Sequence, residues 1–462
     1  MQISDYLKNV KAGKISAVDI ALKILKEAKK ANKDYNFFTS FSEELALQQA
    51  EAIEKKQKLG QKLGKLAGLP VSIKDCICVK DTEASAGSEI LKGYRPIFNA
   101  TAVQKLINED AIIIGKTSQD EFGFGGFSTN TNLPPKNPLD KTRVCGGSSG
   151  GAAGFTAYTD FPHIAIAEST GGSIVNPASF CGVVGLCPTY GLVSRYGLIS
   201  YADSLDKIGI IGKSTDDTKL AIDVIAGNDI KDSTSLRAEI KPAQRIKKIG
   251  LIKGSLNVDK KIKDIILKKV DQLSREYKIE IEQVSLPTTI KYGTQCYYLI
   301  AMSEASTNLA RYCGIKYGRE DNIEGDFDRY FTHIRSKYFG KEAKRRIILG
   351  TFARMAGFRN KYYLKAMQVR SLILKEYKNA FKGVDVLVSP TMPVIAPKFV
   401  DVNKLTPVEN YMMDILTVGP NLVGMPHISL NAGLVDKMPV GIMFTADHLE
   451  ENRLLEIGKI SN

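Results

Sequence analysis

The run Cys145-Gly146-Gly147-Ser148-Ser149-Gly150-Gly151 is followed by the apolar stretch His163-Ile164-Ala165-Ile166-Ala167 and then by Ser169-Thr170-Gly171-Gly172-Ser173. The apolar stretch is too short for a helix and reads as a buried strand. Glycines just before a serine let successive backbone N–H groups converge on one point, the geometry of an oxyanion hole. The competing explanation is a tight turn that needs glycine for positive φ. Either way, a buried strand runs into a loop of small residues.

Similar apolar runs stand at 70–73, 77–79, 111–114, 183–186, 248–252 and 384–388, with helical spacing at 101–108, 214–226 and 260–276. This alternation is the rhythm of an α/β fold, a buried sheet covered by helices. The first ~60 residues read as helices: Ser16 and Asp19 form a capping box, Ile20, Ile24 and Leu25 recur on one face, and a second helix follows Ser42. Residues 295–380 are helical in pattern and rich in Arg, Lys and Tyr, a candidate cap over the sheet's working edge.

With 44% hydrophobic and 25% charged residues in 462, disorder, collagen-like sequence and coiled coil are disfavoured. No apolar run approaches the ~18 residues that span a bilayer, and the N-terminus lacks a signal-peptide pattern, so a cytoplasmic protein without membrane contact is expected. Seven cysteines, an odd number, suit reduced thiols; Cys76 and Cys78 are one residue apart, the wrong spacing for zinc, and no metal site is expected. The net charge of +14 raises the question of a polyanion partner. Ten Lys and Arg against Asp259 and Asp264 fall within 241–270, interleaved with Ile262, Ile265, Ile266 and Leu267, which reads as one amphipathic helix with a solvated basic face.

Gly115-Lys116-Thr117 and Gly212-Lys213-Ser214 end like phosphate-binding loops. Asp110 and Lys207 stand where the leading glycine is required, so neither fits. The run at 145–151 holds two overlapping G-x-S-x-G matches to a nucleophile elbow, but none of His163, His333, His427 and His448 has a distinctive setting for a triad base. Pro70-Val71-Ser72-Ile73-Lys74-Asp75 places a lysine in a strand-like run. If Lys74 points inward, desolvation favours a neutral amine able to take a proton from serine, and strand alternation sends Asp75 to the other face.

Ile73-Lys74-Asp75, the serine loop at 146–151 and Thr170-Gly171-Gly172-Ser173, in that order and spacing, resemble the amidase signature family. The likeness continues through Cys181-Gly182-Val183-Val184-Gly185-Leu186, Val193-Ser194-Arg195-Tyr196-Gly197, Ser204-Leu205-Asp206, Arg345-Arg346 and Ser389-Pro390-Thr391, and within the family is greatest to the A subunits of tRNA-dependent amidotransferases. The resemblance implies a mixed central β-sheet covered by helices on both faces, with a helical cap region. It implies one domain over 1–462, with N-terminal helices at 1–65, a signature core at 66–230, a βαβ extension at 231–290, a helical cap at 291–380 and C-terminal core strands at 381–462.

It also implies Ser173 as nucleophile on the glutamine side-chain amide, Ser148 as a bridging serine held by a cis peptide, Lys74 as base and Ser149 in support. Backbone amides of Thr170, Gly171, Gly172 and Ser173 would hold the oxyanion. Arg346 would grip the glutamine α-carboxylate and Asp414 the α-ammonium, with Tyr298 nearby. The family's partners are the amidotransferase B and C subunits, with ATP and magnesium used in the partner chain, no cofactor in this one, and misacylated tRNA bound mainly through the partner. Some positions depart from the family. Ser169 and Val175 replace the usual Asp and Arg around the nucleophile, Glu168 stands one step upstream, Cys76 replaces an Asn, and one extra residue separates the serine loops. A free-standing amidase with the same relay, or an RNA-binding scaffold with a relict site, remain the alternatives; Arg346 and Asp414 discriminate the first.

Overall fold

The computed structural model describes residues 1–322 and 325–461. Its strands are β1 (Phe38–Phe41), β2 (Pro70–Lys74), β3 (Ile112–Thr117), β4 (Lys136–Asn137), β5 (Asp140–Val144), β6 (Ile164–Ser169), β7 (Val184–Cys187), β8 (Lys207–Gly212), β9 (Lys248–Lys253), β10 (Glu280–Ser285), β11 (Val386–Pro390), β12 (His427–Val435) and β13 (Met438–Thr445). Among the described residues β4 and β5 pair by themselves, and the rest form one sheet in the order β1-β3-β2-β6-β8-β7-β12-β13-β11-β9-β10. β2 runs parallel to β3 and β6, and β9 to β10 and β11; the other neighbours are antiparallel, so the sheet is mixed.

The two-residue period of a strand explains how both faces are covered. Ile164 and Ile166 of β6 join one hydrophobic core with Val71, Ile73, Ile208 and Ile210, while Ala165 and Ala167 join another with Ile112, Ile114 and Ile211. The helix Gly150–Tyr158 packs on β2, β3, β6 and β8, and the helix Lys260–Tyr277 on β10 to β13. The helices Pro287–Asn308 and Lys341–Arg354 pack on each other, and Tyr297 of the first meets Gly171 just beyond the carboxyl end of β6. The two helices approach closely because position 350 is glycine: a Cβ there would collide with the Met302 carbonyl oxygen. Among the described residues no helix is long and apolar enough to cross a membrane.

Three expectations are corrected. The run at 77–79 is no strand and makes only a bridge, Ile77 to Leu198, because the buried Lys116 ammonium takes the carbonyls of Asp75 (3.1 Å) and Ile77 (2.6 Å). Ser16 does accept the Asp19 amide at 3.1 Å, but the return bond from the Ser16 amide to the Asp19 carboxylate is not made, so the box is not closed; the Ser16 hydroxyl donates instead to Glu54 of the next helix at 2.6 Å. The basic stretch at 241–270 is not one helix: β9 occupies its middle, parallel to β11 and β10, and the helix begins only at Lys260, capped by the Asp259 side chain on the Lys261 amide. Ile262 and Ile266 face its core.

Candidate active site

Parallel pairing of β2 with β6, Ile73 opposite Ile166, brings Lys74 to the end of β6 at the carboxyl edge of both strands. Lys74 is fully buried. Its Nζ lies 2.7 Å from Ser148 Oγ, 2.9 Å from the Glu168 carbonyl oxygen and 2.8 Å from Glu168 Oε2. Asp75 does turn away, accepting from the Ser85 hydroxyl at 2.6 Å and the Gly87 amide at 2.9 Å. Glu168 supplies the buried carboxylate partner that Asp75 withholds, 2.8 Å from the Lys74 nitrogen.

The Gly147–Ser148 peptide is cis. The Ser148 carbonyl accepts from the Asp120 amide and the Ser128 hydroxyl, both at 3.2 Å, and Ser128 Oγ accepts the Gly150 amide at 3.0 Å. Ser149 donates to the Glu168 carbonyl at 3.1 Å, the same oxygen that Lys74 uses. Ser173 follows β6 directly and is 7% exposed, whereas Ser148 and Ser149 are sealed. Among the described residues no hydrogen bond joins Ser148 Oγ to Ser173 Oγ.

Gly171 and Gly172 do not need positive φ, so the turn explanation fails for both. Their reason is close approach. A Cβ at Gly171 would lie 2.6 Å from the Tyr297 ring, and one at Gly172 would collide with the Thr417 hydroxyl. Among the described residues no acceptor takes the N–H groups of Gly171, Gly172 or Ser173, while the Gly172 carbonyl is occupied by the Asn176 amide at 2.8 Å. Three successive unpartnered donors beside a serine are groups that a developing oxyanion could use.

A second group of side chains comes from the helical region. Arg346 is 2% exposed and stands among four rings, its Cζ 5.0 Å from the centroid of Phe124, 5.2 Å from Tyr298, 5.4 Å from Tyr411 and 5.5 Å from Tyr201. Glu342, one turn earlier, accepts from Arg346 Nε at 2.8 Å, and Nη1 donates to the Tyr201 hydroxyl at 2.5 Å. Burial of so large a cation is tolerated because the rings and Glu342 replace water. Asp414 accepts from the Tyr298 hydroxyl at 2.6 Å, and burial raises its carboxyl to about 6. Burial also raises the Asp120 carboxyl, which receives the amides of Ser128 (2.8 Å) and Asn130 (2.9 Å) and thereby holds the segment whose Ser128 hydroxyl bonds the serine loop.

The two groups meet at the loop Gly123-Phe124-Gly125-Gly126. A Cβ at Gly123 would lie 3.5 Å from both Ser148 Oγ and Glu168 Oε2, Phe124 faces Arg346, and a Cβ at Gly126 would lie 3.3 Å from Asp414 Oδ1. Sequence reasoning missed this loop, along with Asp120, Tyr201, Glu342 and Tyr411. The four-residue spacing of Glu342 and Arg346 was a signal for one of them; the loop gave none beyond its glycines.

The rejected motifs have structural occupations. Lys116 caps carbonyls as described, and Lys213 donates to the Thr159 carbonyl. His427 is buried between the Met425 carbonyl (3.1 Å) and Asn421 (3.3 Å), and His163 between Ser72 and Thr156; burial pushes both rings' basicity down, that of His163 to about 3. The serine loop runs from β5 into the helix Gly150–Tyr158, but β5 belongs to the small β4–β5 pair, so the serine does not stand at the end of a main-sheet strand as in a nucleophile elbow. Among the described residues no cluster of three His, Cys, Asp or Glu could hold a metal ion.

Comparison with known proteins places this geometry in context. The family described as Amidase matches residues 19–455. The A subunit of the glutamyl-tRNA(Gln) amidotransferase of Trichormus variabilis is 42% identical over 456 residues, 96% of this chain and 93% of that protein. The protein of the same description from Archaeoglobus fulgidus is 41% identical over 466 residues, 99% and 98% of the two chains. Among solved structures, the glutamyl-tRNA(Gln) amidotransferase A subunit from Thermotoga maritima superposes with a TM-score of 0.76 at 30% identity, covering 95% of this chain and 90% of that one. Native peptide amidase from Stenotrophomonas maltophilia superposes with a TM-score of 0.83 at 25% identity, covering 100% and 96%.

Proposed function

Because the chain belongs to the amidase family, we propose that it is the glutamine-hydrolysing A subunit of a glutamyl-tRNA(Gln) amidotransferase, a multi-subunit ligase component that supplies ammonia to a partner. The observation that carries the substrate is the loop at 123–126, which touches Ser148 and Glu168 on one side and Arg346 and Asp414 on the other. A free amino acid bound between them presents its carboxylate to Arg346, whose Nε and Nη1 are already fixed, and its ammonium to Asp414, with Tyr298 holding that carboxylate in place. Its side-chain amide then reaches toward the serine loops.

In this reading Ser173 Oγ attacks the carboxamide carbon. The Ser173 proton passes to Ser148 Oγ, and the Ser148 proton to Lys74 Nζ, along the 2.7 Å contact. The oxyanion meets the N–H groups at 170–173, each donor worth roughly 3 kcal/mol of barrier. Protons return through the same chain to the leaving nitrogen, ammonia departs, and water then cleaves the acyl ester on Ser173 to give glutamate. The B subunit is the partner that amidates Glu-tRNA(Gln), or Asp-tRNA(Asn), using ATP and magnesium, and the C subunit is the third member of the assembly. Misacylated tRNA is bound mainly through the B subunit, which sets the work in the cytoplasm.

The test is ammonia release from glutamine by the chain co-purified with candidate B and C subunits, for the native protein and Ser173→Ala. Release that disappears in the variant, coupled to amidation of Glu-tRNA(Gln) in the presence of ATP, is expected. Turnover of peptide or acyl amides but not glutamine would favour a free-standing amidase, and full activity in Ser173→Ala would move the nucleophile to the serine loop. Amidation of the tRNA by this chain alone would contradict the division between subunits.

A further inference from the structure

The Lys74 ion pair continues into a second carboxyl. Glu168 Oε2 lies 2.8 Å from Lys74 Nζ, and the other oxygen, Oε1, lies 2.8 Å from the Thr170 hydroxyl. That hydroxyl is also 2.9 Å from Asp206 Oδ1. Thr170 has one proton to donate, so it satisfies only one of two ionised carboxylates. The arrangement is complete if Asp206 carries a proton and donates it to Thr170 Oγ1, while Thr170 donates to Glu168. Asp206 also accepts from the amides of Tyr201 (2.8 Å) and Ala202 (3.1 Å), which fix its orientation.

We propose that Glu168 is a positioning residue for the base: through the chain Asp206–Thr170–Glu168–Lys74 it holds Lys74 Nζ on Ser148 and sets the charge that Lys74 must give up before Ser173 can attack. The proposal rests on the relay assigned above and adds to it a buried pair of carboxyls that share one proton. Burial, and then the Glu168 charge, push the Asp206 carboxyl well above the usual carboxylate range. Other titratable groups facing this chain are Cys76 after β2, Cys187 at the end of β7, Asp120 beside the serine loop, Arg195 near Asp206, and Lys207 at the start of β8. Burial raises both thiols and the Asp120 carboxyl and so favours their neutral forms, and Lys207 turns its ammonium to the Met425 carbonyl at 3.0 Å. Glu168 is therefore the carboxylate in contact with the base.

A carboxylate beside Lys74 favours the ammonium, so the neutral, proton-accepting amine forms at higher pH than it would without Glu168. The test uses Glu168→Gln and Glu168→Ser, which remove the charge, and Glu168→Asp, which keeps it, each checked for folding by thermal unfolding. Two rates are followed against pH in the assembled complex: glutamine hydrolysis, and labelling of Ser173 by phenylmethanesulfonyl fluoride, quantified by mass spectrometry. Labelling reports nucleophile activation whatever the natural amide is, so it tests Glu168 even if glutamine proves not to be the substrate.

The midpoint at which activity rises with pH should move down by about one unit or more in the Gln and Ser variants and stay near its native value in the Asp variant. An unchanged midpoint in a folded Gln or Ser variant, with only the plateau lowered, would make Glu168 structural and overturn the proposal. Loss of glutamine hydrolysis in the native complex, with the labelling shift intact, would instead overturn the glutaminase reading and leave this one standing.

Discussion

The proposed relay end and the proposed recognition end of the site are built from different material. Lys74 and the 170–173 loop come from the carboxyl ends of parallel neighbours β2 and β6, the serine loop from the chain between β5 and the helix Gly150–Tyr158, and much of their working surface is backbone: the cis Gly147–Ser148 peptide, the Glu168 carbonyl shared by Lys74 and Ser149, and the N–H groups of 171–173. Arg346, Asp414 and Tyr298 would act through side chains alone in that reading; they are carried by helices and a connecting loop far apart in sequence and braced by Glu342, Tyr201 and Tyr411. A backbone-built end tolerates little change, since a methyl group at Gly171 or Gly172 already collides with Tyr297 or Thr417. A side-chain end can be retuned one residue at a time, which is how a shared relay can serve amides of different kinds.

Substitutions should separate the two ends by the kinetic constant they move. Ser173→Ala is expected to lower kcat for glutamine hydrolysis on the order of 10^4-fold, with Lys74→Met similar and the double variant no worse than either, because the two act as one unit. Near-native ammonia release by Lys74→Met would break the relay assignment. Arg346→Lys should lower kcat/KM about 100-fold through KM, since lysine cannot reproduce a planar guanidinium fixed by Glu342 and Tyr201. Initial rates across glutamine concentration check this, and an equal fall in kcat would move Arg346 to the relay end.

Asp414 gives the recognition end its own pH dependence. With its carboxyl raised to about 6, it is ionised above that pH and protonated below, so affinity for the glutamine ammonium is full at neutral pH and weakens as pH falls through 6. KM should rise about tenfold by one unit below the midpoint, and the dependence should vanish in Asp414→Asn, whose KM is high throughout. Tyr298→Phe should have the smallest effect, raising KM about fivefold by removing one hydrogen bond. Because that bond lowers the Asp414 carboxyl, its loss should also carry the KM midpoint to higher pH. A kcat midpoint that moved with it would show the two ends to be coupled.

Legibility followed the same division. The runs at 70–73, 111–114 and 163–167 became β2, β3 and β6 because unbroken apolar sequence suits a strand covered on both faces, and the helix at 101–108 follows its spacing to the residue. The run at 77–79 looked alike but lost its partners to a lysine from the neighbouring strand, something no local pattern records. Strand β10, with four of its six residues exposed at the sheet's edge, carries too little apolar signal to be read from its pattern and is implied only by the βαβ extension that the family resemblance gives.

The sequence by itself determined the strands beside the site and the order of the two serine loops, because these are encoded in short contiguous runs whose residue types are dictated by backbone geometry, and its resemblance to the amidase signature family singled out Lys74, Ser148 and Ser173 as the proposed relay. Only the tertiary structure decided that Glu168 rather than Asp75 faces Lys74, that Asp206 lies across Thr170 from it, and that four aromatic rings enclose Arg346. Those contacts join residues tens to hundreds of positions apart, and burial fixes them: a charge withdrawn from water must find its partner in whatever the packed fold brings alongside.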